Sequence, residues 1–379
     1  MQGIAGVSIV NARRRRLLRG LGALSATIVV GNNSQAQRAE SGDASGSLIK
    51  PRPFEQGPHD ACSFSGAQAP SADPPSGSQM RIALIGDIPY SRYEEQRLLG
   101  LWQQLRSQVD LVVHLGDIKG GLESCSDELL SRRLSLLQQC PCPLILVLGD
   151  NEWTDCNRVL AGEFDPHERL TWLRKRLFSS AASLGAPWPA GWLPLRRQFD
   201  DESIGLPENL FWVSADTGFI TLNVPGSNYG LNASGLDDQS LKTLRLANER
   251  WLKLGFERAS SLHLKALVVA LHADLGFERE RHPSLLKPGR KGTCADEEDG
   301  YADLRRLLID LSDRWTGDVL LLNGDSHRYR LDRLTARLTR IQCFGSPFNA
   351  SWIRLERRPE GREAFSIEIR QVDANVVTG

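Results

Sequence analysis

The chain has 379 residues with 46 basic and 46 acidic side chains, so its formal net charge is zero, and no global field recruits nucleic acid or an anionic membrane. Its length exceeds a minimal domain but suits one large α/β unit with a tail. Any ligand has to be captured locally.

The first 36 residues stand apart. In "RRRRLLRGLGALSATIVVG", four arginines precede roughly a dozen mostly apolar residues, about half of what a bilayer span needs. Arg14, Arg15, Leu17, Leu18 and Arg19 are similar to the core of a twin-arginine export signal, and Ser34-Gln35-Ala36 offers small residues at cleavage spacing. A basic surface helix or basic tail is the alternative. Residues 37–79 are rich in Ser, Gly, Ala and Pro and hold too few large apolar groups to offset the entropy of ordering, which marks a linker. The expected organisation is a twin-arginine-type export signal over 1–36, a linker over 37–79 and a single domain over 80–379, in a periplasmic or secreted location. No later apolar run is long enough to cross a membrane.

From Arg81 onward, short apolar runs alternate with segments of helical period. The runs "RIALIGD", "DLVVHLGD", "PLILVLGD", "LKALVVALHAD" and "GDVLLLNGDSH" all finish in polar residues. Between them lie amphipathic segments at Tyr93–Ser107, Ser126–Gln138, His167–Phe178, Asp237–Ser260 and Tyr301–Arg314. Near-continuous apolar strands imply sheets covered on both faces. Residues 179–207 hold "APWPAGWLPL", carry no period, and read as a surface insertion near the strand ends. After Gly324 the period changes: "RYRLDRL", "LTRIQCFG", "SWIRLERR" and "FSIEIRQV" are strands without intervening helices. The expected fold class is α/β, with two packed mixed β-sheets.

Seven cysteines are too few for a disulfide scaffold and show no C-x-x-C pair of the kind a structural zinc site uses. In an oxidising compartment Cys125 and Cys156 are the expected couple, since each follows a motif-bearing strand end by a few residues. Cys140 and Cys142, separated by Pro141, are poorly placed to bridge each other.

In an open α/β sheet, ligands bind beyond the carboxyl ends of the strands. The strand-terminal residues are Asp87, Asp117, Asp150 with Asn151, His272 with Asp274, and Asp325 with His327. Carboxylates converging on one crevice repel each other and are costly to desolvate unless cations neutralise them, so bound metal is implied. His114, inside "LVVHLGD", is read as a core histidine with a backbone partner. Lys119, Arg158, Arg328 and Arg330 flank the motifs as phosphate-holding candidates or as solvated surface charge. Glu152 and Asp155 cap the next helix in the plainer reading, and Trp153 packs. No G-x-S-x-G elbow and no P-loop motif occur.

The order "GD-x-x", "GD", "GDNE", "H" and "GDSH" over Met80 to about Val372 resembles the calcineurin-like metallophosphoesterases, whose pattern is D-x-H, G-D, G-N-H-E/D, a lone His and G-H-x-H. The resemblance implies a four-layer αββα sandwich and two metals sharing a bridging aspartate and presenting a hydroxide to phosphorus. It implies Asp117 as the bridge, Asp87 and His327 on the first metal, and Asp150, His272 and Asp325 on the second. Asn151 and Glu152 fall at the catalytic position, while Arg158 and Arg328 are the substrate-binding candidates among the cations that flank the motifs. Shifting the match by one residue makes Asn151 a ligand and Glu152 the nearby acid. Two departures stand out: Pro89 occupies the place of the His in D-x-H, and Asn151 that of the His in G-N-H-E/D. Carboxylates in place of imidazoles favour Mn²⁺, Mg²⁺ or Fe over Zn²⁺. The expected activity is metal-dependent hydrolysis of a small phosphomonoester or phosphodiester. A binding module that keeps the fold without turnover and a structural cation site are the alternatives.

Overall fold

The computed structural model describes residues 80–179, 183–189, 192–201, 205–233, 235–278, 298–347, 351–358 and 364–372. The expected export signal and linker lie outside the described residues, which all belong to the compact unit Pro70–Gly379.

Apart from one-turn helical segments, the elements run as follows. β1 (Arg81–Ile85), α1 (Arg92–Leu105), β2 (Leu111–His114), α2 (Asp127–Leu137), β3 (Pro143–Leu146) and α3 (Pro166–Leu177) come first. β4 (Leu184–Gly185), β5 (Arg196–Arg197), β6 (Leu210–Ser214) and β7 (Thr217–Thr221) precede α4 (Asp238–Ser261), β8 (Ala266–Ala270), α5 (Ala302–Arg314) and β9 (Asp318–Asn323). β10 (Arg330–Arg333), β11 (Leu338–Gln342), β12 (Ser351–Arg357) and β13 (Phe365–Gln371) follow without a helix between them. The first four helices start where side-chain oxygens satisfy free backbone N–H groups: Ser91 accepts from Glu94, Ser126 from Leu129, Asp165 from His167, and Asp237 from Ser240. All five helices lie within two residues of the boundaries that the helical period predicts.

Two mixed sheets form among the described residues, in the orders β13-β12-β1-β2-β3-β4 and β10-β11-β9-β8-β7-β6-β5. Alternation along the strands decides what lies between them. Ile82, Leu84, Val113, Val268, Leu320 and Ile353 fill one buried cluster that draws on both sheets. Their neighbours Ala83, Ile85, Val112, Val269 and Leu321 join a second cluster with helix residues such as Leu101, Leu130, Leu173, Trp251 and Leu308. The central strands β1, β2, β8 and β9 thus bury both faces, one against the other sheet and one against helices. Two mixed sheets packed face to face with helices on their outer faces make the α/β sandwich that the sequence leads one to expect.

Two parts depart from the sequence reading. β6 and β7 form a hairpin that periodicity alone does not announce, because its two-residue turn is Ala215-Asp216 rather than a glycine or asparagine pair. The 179–207 insertion contributes β4 and β5, which pair with β3 and β6 and so close one edge of each sheet. It therefore covers sheet edges rather than lying only beside the strand ends.

His114 is the core histidine expected. It is fully buried, with Nε2 donating to the Ile88 carbonyl at 2.8 Å and Nδ1 accepting from Gly116 N at 3.2 Å. Burial pushes its pKa down to about 4. The unfolded chain therefore binds the extra proton between about pH 6.5 and 4, so this group's contribution is complete above pH 6.5 and is lost as pH falls through that window. Denaturant unfolding of metal-loaded protein should show a smaller loss between pH 6.5 and 4 in His114→Gln than in the wild type. Equal pH slopes would contradict the assignment.

Candidate metal centre

The carboxyl ends of β1, β2, β3, β8 and β9 deliver Asp87, Asp117, Asp150, His272 and Asp325. One ligand atom from each of Asp87, Asp117 and His272 lies within 4.8 Å of the others. His272 Nε2 is 3.4 Å from Asp117 Oδ1 and 3.6 Å from Asp150 Oδ1. His327 Nε2 is 3.5 Å from Asp87 Oδ1. Asp325 sits beside them: its backbone N–H donates to Asp87 Oδ1, and its Oδ2 accepts from Asp274 N, each at 3.0 Å.

The backbone is shaped to bring these groups together. Asp87, Asp117, Asp325 and His327 have φ of 53°, 58°, 71° and 59°, a left-handed conformation that costs non-glycine residues about 1–2 kcal/mol each. Such strain persists only where surrounding structure enforces it. Gly149 lets the β2 and β3 loops touch, since a Cβ there would meet Asp117 Oδ1 at 2.1 Å and Asp117 N at 2.4 Å. Gly149→Ala is expected to displace Asp117, giving soluble protein that no longer retains metal after gel filtration; wild-type metal content in that variant would contradict this.

The histidines are oriented by backbone carbonyls. His272 Nδ1 donates to Leu115 O at 2.7 Å, and His327 Nδ1 donates to Ser346 O. Both rings consequently turn Nε2 toward the carboxylates, the arrangement by which proteins fix a metal-binding tautomer. His272 Nε2 and Asp87 Oδ2 are buried and have no hydrogen-bond partner among the described residues. A ring nitrogen and a carboxylate oxygen left without partners beside further carboxylates fit a divalent cation, because positive charge relieves the repulsion. Hard oxygen donors outnumber imidazoles, as the sequence implies.

The electrostatics carry the same signature. Burial pushes Asp87 up to about 8, with His272 opposing and Asp325 adding. Burial likewise raises Asp117 well above the carboxylate range. Burial lowers His272, but Asp117, Asp150, Asp87 and Asp325 outweigh it and raise its pKa well above the usual value. Asp150 is pushed up by burial, yet His272 more than compensates and brings it down to about 2.

Tyr90 is the functional candidate that the sequence reading missed. Its hydroxyl donates to Asp117 Oδ2 at 2.7 Å, accepts from Asn151 Nδ2 at 3.1 Å, and lies 3.4 Å from His327 Nε2. It stands one residue past Pro89, where the resemblance leaves a gap; an aromatic hydroxyl three residues after a strand-end aspartate was the available signal. Ser227 was missed too. Its hydroxyl lies 3.1 Å from Asp150 Oδ2 and 3.2 Å from Asp155 Oδ1, in a turn whose residues Ser227, Asn228 and Tyr229 all have positive φ.

Several sequence readings are corrected. Glu152 caps no helix and does not enter the opening: it is fully buried, and its Oε1 accepts from Gly149 N at 2.6 Å and Asp117 N at 3.3 Å, bracing the two loops from behind. Asn151 does face the centre, with its N donating to Asp117 Oδ1 at 3.0 Å and its amide Nδ2 to Asp117 Oδ2. Lys119 is not surface charge; it is fully buried, and Nζ donates to Gly120 O. Arg158 lies at the mouth, 46% exposed, paired with Asp155 at 2.5 Å and 3.4 Å from Ser227 Oγ. Arg328 is exposed, with no hydrogen bond or ion pair among the described residues, whereas Arg330 is tied to Glu278; the two do not work as a pair.

Cys125 and Cys156 form a disulfide with Cα atoms 5.6 Å apart, and Cys140, Cys142 and Cys343 are free and buried. The bridge closes a loop across a separation of 31 residues, worth about 3–4 kcal/mol in the chain-entropy account. The double variant Cys125→Ser/Cys156→Ser should lose about that much stability in urea unfolding under non-reducing conditions, and an unchanged midpoint would argue against the bridge.

Residues 80–253 match the family model described as calcineurin-like phosphoesterase. No curated protein matches by sequence. Solved structures with a similar fold include a dimetal phosphatase from Danio rerio, at 14% identity and TM-score 0.49, covering 78% of this chain and 99% of that one. GAP50, the anchor in the inner membrane complex of Plasmodium, matches at 14% identity and TM-score 0.45 over 79% of this chain and 87% of its own. A 5'-nucleotidase from Candida albicans matches at 9% identity and TM-score 0.42, over 79% of this chain and 53% of its own. The match contains Asp87, Asp117 and Asp150, so that residues 80–253 are similar to the calcineurin-like phosphoesterases and include three of the residues at the centre.

Proposed function

We propose that this protein hydrolyses a small phosphomonoester or phosphodiester at the carboxyl ends of β1, β2, β3, β8 and β9. The observation that carries the reading is the bare His272 Nε2 and Asp87 Oδ2, buried among carboxylates in a chain similar to this family over residues 80–253. Asp87 with His327 would hold one divalent ion and Asp150, His272 and Asp325 a second, with Asp117 between them. When bound, such ions supply Lewis acidity and lower the pKa of water. Asn151 and Tyr90 fix the orientation of Asp117 through their hydrogen bonds, and Ser227 does the same for Asp150. Arg158 would receive phosphate oxygens at the mouth. An exported, periplasmic or secreted location is part of the proposal, supported by the arginine-led N-terminal segment.

Asn151 occupies the position from which the resemblance expects a proton for the leaving group, and an amide cannot supply one. Hydrolysis should therefore favour leaving groups that depart unprotonated. With Mn²⁺, Mg²⁺, Fe²⁺ or Zn²⁺ added, the protein is expected to cleave a p-nitrophenyl phosphate or phosphodiester, with rates falling steeply as the leaving phenol becomes less acidic. Absence of turnover with all four metals, alongside measurable phosphonate binding, would replace this reading with that of a binding module.

A further inference from the structure

Exposed apolar side chains scattered singly over a surface need no explanation. Here they are not scattered. Among the described residues, the four most exposed large hydrophobic side chains are Val159 at 74%, Leu122 at 69%, Leu160 at 65% and Tyr93 at 61%. All four lie on segments bordering the metal centre. Leu122 follows the β2 loop that carries Asp117, Val159 and Leu160 follow the β3 loop that carries Asp150, and Tyr93 opens α1 just after Tyr90.

The first two segments run side by side and are held at both ends. At the centre, a Cβ on Gly121 would lie 2.9 Å from Asn151 Oδ1 and 3.1 Å from Arg158 Nη1. At the far end, Cys125 N donates to Ala161 O at 2.8 Å and the Cys125–Cys156 disulfide joins the same loops. Between these ties stand Leu122 on one segment and Val159 and Leu160 on the other. The Tyr90 ring closes the third side, 3.4 Å from where a Cβ on Gly120 would sit. The rim therefore leads in order from aliphatic side chains to the Arg158 cation, then through Asn151 to Asp117.

We propose that this rim receives an aliphatic chain of the substrate, whose class is then a phosphodiester that carries this chain on the ester it retains, while a more acidic alcohol departs unprotonated. The proposal rests on the phosphoesterase reading above. An aliphatic chain joined to an anionic phosphate has the same order of chemistry as the rim: apolar surface, one cation, then the centre. A stapled pair of loops presents this surface in a fixed geometry, so little ordering entropy opposes the contact. Burying a methylene fully is worth a factor of about four in affinity, and a chain lying against an open rim, covered on one side, should gain about half of that free energy, close to twofold per methylene.

The test is calorimetric binding of methyl- to octylphosphonic acid, below their micellar concentrations, to Mn²⁺-loaded full-length protein. Affinity should rise about twofold per methylene beyond butyl. The slope should flatten in Leu122→Ser/Val159→Ser/Leu160→Ser, with thermal unfolding and metal content checked on the same sample. A flat series in the wild type with methylphosphonate still bound overturns the substrate class alone. So does an undiminished slope in the triple variant. If that variant loses binding to phosphatidylglycerol vesicles while the phosphonate slope stays, the rim is a membrane contact and the proposal fails. If not even methylphosphonate binds, the phosphoesterase reading falls and takes the proposal with it.

Discussion

Asp117→Asn is expected to lower turnover at least about 1,000-fold while leaving the chain folded. Asp117 is the carboxylate on which the centre converges, with Tyr90 OH on Oδ2, Asn151 N on Oδ1 and His272 Nε2 at 3.4 Å. Asparagine keeps the shape and tolerates a φ of 58°, but removes the charge. The catalytic contribution of charge stabilisation at such a centre amounts to several kcal/mol, and about 4 kcal/mol corresponds to a factor of about 1,000. A second sign follows from the same electrostatics. Without metal, Asp117 is one of several buried carboxylates repelling each other, so its neutralisation should raise the melting temperature of the chelated protein. Turnover retained within tenfold, or a large fall in melting temperature, would contradict the role.

Chelation should destabilise the wild type strongly, and increasingly so as pH rises from about 4 to 8. Ligand linkage gives about 4 kcal/mol when free metal exceeds its dissociation constant a thousandfold. The pH dependence has a defined sign. In the metal-free fold Asp87 is pushed by burial up to about 8, and His272 is raised well above its ordinary value by the carboxylates around it. The folded state then binds more protons than the unfolded state across that window, so these groups favour folding at the low end and lose that contribution as pH increases. His114 acts in the opposite direction between 6.5 and 4, but it is one group against several. Asp150, brought down to about 2, titrates below the window. Guanidinium unfolding with and without a chelator at pH 5 and pH 8 should show the larger metal effect at pH 8. An equal or reversed difference would contradict the account.

The layout of the molecule was legible where local chemistry and tertiary structure agree. Apolar strands ending in Gly-Asp were visible because burial on both faces removes alternation, and because a left-handed turn needs glycine or a short polar residue at its corner. Helices were visible in the apolar period of the segments that begin at Tyr93, Ser126, His167, Asp237 and Tyr301. The β6–β7 hairpin was not, since Ala215-Asp216 makes the turn without the usual residues. That omission had a consequence at the site: Ser227 follows β7 as Asp150 follows β3, and without the strand its loop never joined the set of strand ends. Tyr90 was hidden for another reason. Pro89 stands at the departure from the D-x-H pattern, and the hydroxyl that reaches Asp117 lies one residue outside that pattern. Lys119 reads as surface charge in "GDIKGG", and only the packing of the loops beneath Asp117 buries it.

Metal content measured by mass spectrometry after gel filtration tests the central claim most directly, because the bare His272 Nε2 has one purpose in this account. Full-length protein supplied with Mn²⁺ should retain at least one divalent ion per chain, and His272→Ala should lose it while remaining folded. A wild-type protein that retains none, or a His272→Ala variant that retains as much, would contradict the account.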